Sequence, residues 1–301
     1  MEFSQVLNDY RASQAMSQGD VVELLSKDSL FANLDVNTYS RWERGSTAPN
    51  LTKTVKILYL LNQQDAIQQA MFASLNQKRI EQLEAMIDKR FSPQHPGLST
   101  PFIDALDPTK TKISRLTEQD VQRYSLIHSR CFDEPLASNF NTQNMQGIEL
   151  CEMFDVNEQI IGHIIYQIVP LNVCLANYSD LLQQAPRGFW HNALQENSQC
   201  LHIMSEYSSS TEAFMYRHKI HKDIFLQNRL KIGLSKMYDL AIFQAADKRD
   251  SFVFEKGPAF AKGIRWSNGR YRWIKALHRL DQILPWELFW LWDKTNQKQS
   301  K

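Results

Sequence analysis

The chain has 301 residues, 34 Lys and Arg against 33 Asp and Glu, a net charge of +1 and 43% hydrophobic residues. That balance excludes a disordered tail and leaves ample length for two domains. The longest apolar run, Leu284–Trp292, is broken by Pro285 and Glu287 and is too short to span a bilayer. No signal peptide is evident, so a cytoplasmic protein with no membrane partner is expected.

Phe3, Val6, Leu7 and Tyr10 recur at helical spacing, as do Val21, Val22, Leu24 and Leu25 after the capping residue Ser17. Asp35 suits a helix N-cap and Gly45 a helix stop, which predicts a short helix from about Val36 to Arg44. Tyr39 and Trp42 share one face of it, whereas Asn37, Ser40, Arg41 and Arg44 fall largely on the other. Asn can pair bidentately with adenine and Arg with guanine, so the polar face has the chemistry of a major-groove reader. An ordinary amphipathic surface helix is the alternative. Asn50 then caps a helix carrying Leu51, Val55, Leu58 and Leu61, completing a small all-α bundle over about residues 3–63.

Ser17-Gln18, Thr38-Tyr39-Ser40-Arg41-Trp42-Glu43-Arg44-Gly45 and Pro49 resemble the pattern of the lambda-repressor-like, or XRE, helix-turn-helix family. The resemblance covers about a fifth of the chain. It implies that Gln18, Ser46 and Thr47 touch phosphates and that Val36, Asn37, Ser40 and Arg41 face base edges, with Arg44 beside them. It also implies a buried ion pair between Arg11 and Glu43, against which a solvated Glu43 is the alternative. Two departures stand out. Val22 occupies the position of the usual small residue, and the turn is lengthened around Ser26–Asn33, including Phe31, which can change the angle between the two helices.

Between Met1 and Gln64 acids slightly outnumber bases, but Arg41, Arg44, Lys53 and Lys56 against Glu43 gather positive charge on the expected DNA-facing edge. Ile67, Ala70, Met71 and Leu75, then Ile80, Leu83, Ile87 and Phe91, mark residues 66–91 as a linker or dimerisation helix. Its stripe suits either packing on the bundle or pairing with a second subunit, which would set two readers about one DNA turn apart. Pro93, Pro96, Gly97, Pro101 and Pro108 make residues 92–112 a linker.

Residues 113–301 read as a mixed α/β domain. Strands are expected at Ile113–Leu116, Ile148–Val156, Ile160–Val169, Cys200–Glu206 and Ser251–Glu255. A helix is expected after Thr117, through Val121, Tyr124, Ile127 and His128, and a long one from about Ile220 to Ala246. With Ile113-Ser114-Arg115-Leu116, the hairpin Phe154–Ile164, and Gly257–Trp266 as a closing helix and strand, this order resembles the GNAT acyltransferase fold. That family holds the pyrophosphate of acyl-coenzyme A in a Gln/Arg-x-x-Gly-x-Gly/Ala loop. The best counterpart, Leu230-Lys231-Ile232-Gly233-Leu234-Ser235, keeps one glycine, puts Leu at the polar position and reads as the inside of a helix. An intact acyl-coenzyme A site, and hence enzyme activity, is not expected.

Other constellations assign no catalytic residue, cofactor or metal. His218 and His221 lie three apart without a third ligand. Glu206, Tyr207 and Ser208–Ser210 suit a polar strand-to-helix turn. Cys131, Cys151, Cys174 and Cys200 lack metal spacing and read as reduced core thiols. Between Lys248 and Arg279 basic residues interleave with Phe252, Phe254, Phe260, Trp266, Tyr271 and Trp273, which suits inward-packed strands, an anionic ligand or a second DNA contact. Trp286, Phe289, Trp290 and Trp292 read as core packing.

The expected whole is a two-domain, DNA-binding transcription regulator: a helix-turn-helix bundle at 1–65 and an α/β domain at 113–301 for effector binding or oligomerisation. Its expected partners are double-stranded DNA with palindromic or repeated half-sites, a second copy of itself, and a small-molecule or acyl ligand in the second domain. An acyltransferase with a DNA-binding arm and an autoregulating antitoxin are the alternatives.

Overall fold

The structure, a computed structural model, describes residues 2–91, 106–132, 147–176, 198–230, 232–240, 259–267, 271–279 and 283–296. The chain is mixed α/β and divides into two compact units, Met1–Arg79 with Leu284–Lys301, and Ile80–Ile283.

The first unit contains α1 (Phe3–Ser13), α2 (Gln18–Ser26), α3 (Val36–Glu43), α4 (Leu51–Leu60), α5 (Gln64–Ser74) and the start of α6 (Gln77–Phe91). The helices α2, α3 and α4 each start at a side-chain cap. Ser17 and Asp20 form a reciprocal capping box on α2, Asp35 accepts from the Thr38 amide on α3, and Asn50 accepts from the Lys53 amide on α4. Gly45, at φ +69°, ends α3 in the left-handed conformation that glycine adopts without strain. One core joins Leu7, Val21, Leu25, Phe31, Tyr39, Trp42, Ile57 and Leu61.

The C-terminal helix belongs to this first unit, although the sequence reading grouped it with the α/β domain. This helix, numbered α10 here (Leu288–Asn296), packs on α5 and buries Leu288, Phe289, Trp290, Leu291 and Trp292. The Trp290 indole donates to the Leu284 carbonyl at 2.7 Å, and Arg79 Nε lies 2.7 Å from Glu287 Oε2.

The second unit contains β1 (Lys112–Arg115), α7 (Glu118–Phe132), β2 (Ile148–Phe154), β3 (Ile160–Pro170), α8 (Leu171–Ala176) and β4 (Gln199–Ser208). It continues with α9 (Thr211–Gln227), β5 (Ile232–Leu240), β6 (Ala259–Ser267) and β7 (Tyr271–Arg279). The strands form one sheet in the order β1-β2-β3-β4-β5-β7-β6, antiparallel except for β4 beside β5. The β4–β5 ladder ends at Ile203↔Ser235, whereas β3 accompanies β4 to Ser208 past a bulge at Met204.

Two expectations change here. The long helix expected over Ile220–Ala246 is instead α9, which ends at Gln227, followed by a turn with Arg229 at φ +53° and then β5. The closing segment Gly257–Trp266 contributes the strand β6 from Ala259. The strand expected at 251–255 and residues 92–105 of the proline-rich linker lie outside the described residues. The apolar stripe Ile80, Leu83 and Ile87, left open to a partner subunit, is buried within the single chain. Among the described residues no helix is long and apolar enough to cross a membrane.

Candidate functional site

The helix α3 turns Tyr39, Trp42 and Glu43 inward and leaves Asn37, Arg41 and Arg44 exposed, with Ser40 half-buried. Its inner face is fixed by Glu43. The carboxylate accepts from Arg11 Nε at 2.5 Å and from the Gln18 amide, while the Glu43 carbonyl accepts from Asn8 Nδ2 at 3.0 Å. One acid therefore ties α3 to α1 and α2. Partnership with Glu43 raises the Arg11 guanidinium above its ordinary value. Gln18, at the first turn of α2, is engaged by this inner contact rather than lying fully on the surface.

On the outer face, Val36 is 44% exposed at the first turn. An apolar side chain left in water there suits contact with a thymine methyl. Arg41 Nη2 lies 3.2 Å from Thr38 Oγ1, and Arg44 Nε donates to the Ser40 carbonyl at 3.2 Å, so both guanidinium groups lie along their own helix. Ser46 and Thr47 are exposed just past the helix end, where their amides donate to the Arg41 carbonyl. The Thr38 amide and hydroxyl hold the Asp35 carboxyl below its usual range, which keeps the cap charged at neutral pH.

The expected cluster of positive charge is smaller than its sequence suggests. Lys56 is not on the edge; its side chain is 4% exposed and Nζ lies 2.9 Å from Asp28 Oδ2. Arg41, Arg44 and Lys53 remain as the local surface bases, because α4 turns its Val55–Leu58 stretch inward.

In the second unit several polar groups are buried. Glu152, His163 and Tyr207 form one row across β2, β3 and β4. Tyr124 of α7 donates to Glu152 at 2.7 Å, its ring lies 4.3 Å from that of His163, and His163 Nε2 is 3.1 Å from Ser205 Oγ. The opposite face carries Glu206, with Arg217 at 3.5 Å and His221 at 3.3 Å from α9. Burial, with His218 and Arg217 alongside, holds His221 well below its ordinary value. Sequence reasoning missed the row on the α7 face; its signal was an acid and an imidazole at inward positions of otherwise apolar strands.

Ser210 caps α9 by accepting from the Ala213 amide, and Ser209 donates to the Ile161 carbonyl, so these serines build the strand-to-helix turn. His218 Nδ1 lies 2.8 Å from the Phe214 carbonyl, and no group of three His, Cys, Asp or Glu among the described residues could hold a metal ion. Cys151 and Cys200 are buried, and burial pushes the Cys151 thiol up to about 12. Of the segment expected inside a helix, Ile232–Ser235 belong to the strand β5. Gly233 sits in β5 between Leu201 and His278, so its surroundings are sheet ladders on both sides, not a phosphate cradle at a helix start.

No family model matches the chain, and no curated protein matches its sequence. Among solved structures the chain is similar to the crystal structure of a "putative phosphinothricin N-acetyltransferase" at 14% identity, over 57% of this chain and 99% of that one, with a TM-score of 0.31. A likeness this loose decides neither fold nor activity.

Proposed function

We propose that the protein is a sequence-specific DNA-binding regulator in which α2 and α3 act as a helix-turn-helix and α3 enters the major groove. The observation that carries this reading is the polarity of α3: Tyr39, Trp42 and Glu43 anchor it while Val36, Asn37 and Arg41 stay exposed. Each bidentate Asn–adenine or Arg–guanine pair discriminates against the wrong base by about 1–3 kcal/mol. Gln18, Ser46 and Thr47 flank that face for phosphates, and Arg41, Arg44 and Lys53 supply local rather than global attraction, so affinity depends modestly on salt. The second unit serves as an effector or oligomerisation domain, and a homodimer reads two half-sites.

A second reading, a GNAT-like acyl-transferring enzyme with a DNA-binding arm, draws on one observation. Among the described strands β4 and β5 are the parallel pair, and their ladder ends at Ile203↔Ser235 although both strands run on. The strand β5 counts against it, since Gly233 lies within its ladders rather than in a pyrophosphate loop at a helix start. Two experiments on the full chain separate the readings. Selection from a random duplex library should enrich a defined motif, with half-sites about 10–10.5 base pairs apart for a dimer; no enrichment sinks the regulator. Saturable binding of acetyl-coenzyme A would favour the enzyme.

A further inference from the structure

We propose that the buried Asp28–Lys56 ion pair positions the recognition helix, making Lys56 a specificity-determining residue that does not itself touch DNA. This rests on the DNA-reading function proposed above. In a helix-turn-helix the angle between the helices is commonly fixed by a turn of about 3–4 residues, often containing glycine. Here Lys27–Asp35 joins α2 to α3 and contains no glycine, so turn geometry alone does not set the angle.

Three contacts of the connection act beside the Gln18–Glu43 contact that already joins α2 to α3. Asp28 Oδ1 accepts from the Leu30 amide at 3.0 Å, which starts the 3-10 turn Ser29–Phe31. Phe31, 3% exposed, enters the core that also holds Tyr39 and Trp42. Lys56, on α4, reaches back to Asp28 Oδ2 at 2.9 Å. Lys56 is buried and Asp28 partly so, with side-chain exposures of 4% and 13%. In such a place desolvation offsets much of the Coulombic gain, so a buried pair contributes little net stability compared with apolar residues of the same size. Its remaining effect is directional. It pins the start of the connection to α4, two residues past the end of α2 and seven before Asp35, and so limits where Val36, Asn37 and Arg41 can stand relative to α2. Contacts to base edges tolerate only small displacements, so slack at this pin appears as lost discrimination.

The test uses full-length protein with Asp28→Asn, Lys56→Met, the double variant, and Asp28→Glu, which keeps both charges and lengthens one arm. Each neutralising single variant should melt early, and the double variant should recover most of that loss. Preference for the selected duplex over single-base mismatches should nevertheless fall about tenfold in the double variant and in Asp28→Glu. The salt slope of Lys56→Met should match the parent's. A slope lowered by about 1 would make Lys56 a phosphate contact and overturn the proposal, as would parental discrimination in both the double variant and Asp28→Glu. Amide NMR shifts of α3 in those two variants, recorded without DNA, keep this separate from the DNA reading itself. Shifts spread over Val36–Glu43 support the positioning role even if the parent selects no duplex, and shifts confined to the neighbours of residues 28 and 56 contradict it.

Discussion

The two units of this chain place their polar chemistry on opposite sides of their surfaces. In the first, buried charge is confined to a few groups that join helices, such as Glu43 and Lys56, and the varied hydrogen-bonding groups of α3 face outward. In the second, His163, Ser205, Glu206, Arg217, His218 and His221 are buried within the unit. The exposed Asn, Arg and Val of α3 turn hydrogen-bonding and apolar groups to the surface, whereas Glu206, Arg217 and His221 of the second unit lie beside one another in its interior. The DNA-reading proposal therefore rests on the outward face of α3 and on nothing in the second unit.

The strongest way to break the comparison is through the C-terminal helix. Trp290 is 2% exposed and donates to the Leu284 carbonyl. Trp290→Ala should therefore cost the first unit about 3–5 kcal/mol. Hydrogen exchange resolved along the chain should show this as faster exchange in α5 with α9 unchanged; equal loss in both would contradict the division into units.

A smaller loss, in the second unit, should follow Gly162→Ala. An added Cβ would lie 2.9 Å from the Tyr207 carbonyl oxygen and 2.5 Å from Met153 Cε. Backbone cannot give as a side-chain tip can, so the cost should be about 1–3 kcal/mol, read from urea unfolding followed at α9.

Mild acid should give the smallest effect and sharpen the contrast. The first unit contains no histidine. His221 in the second has a folded-state pKa well below its ordinary 6.5. Below pH 6.5 the unfolded chain binds a proton that the folded unit refuses, so His221 lowers stability progressively as pH falls toward its folded value. Asp20 and Asp35 are also depressed, by hydrogen bonds from Ser17 and Thr38, but their contribution is present above the ordinary 3.8 and is lost only as pH falls through their lower folded values. Between pH 7 and 5, exchange corrected for intrinsic rate should quicken in α9 and not in α3.

What could be read from sequence follows the same division. The start and end of α3 were legible because Asp35 and Gly45 act locally, and Tyr39 and Trp42 face one way. Lys56 was misread because closeness in sequence to Arg41 and Arg44 does not say which way α4 turns. The helix α9 was illegible for a different reason. Ala213, Phe214, Met215, Tyr216, Arg217 and His218 are buried in succession, so no apolar stripe marks it, and it ends at a positive-φ arginine rather than a glycine. That hid β5, and with it the sheet's parallel pair. The aromatic cluster near Trp290 read as core, but which core it joins depends on contacts with α5, far away in the chain.

The central claim is that α3 reads bases, and Arg41→Ala tests it most directly. With the selected duplex and its single-base variants, Arg41→Ala should lose about 1–3 kcal/mol of discrimination at one position of the site while keeping preference elsewhere and the parental melting temperature. An unchanged preference at every position, in a protein that still folds, would contradict the account.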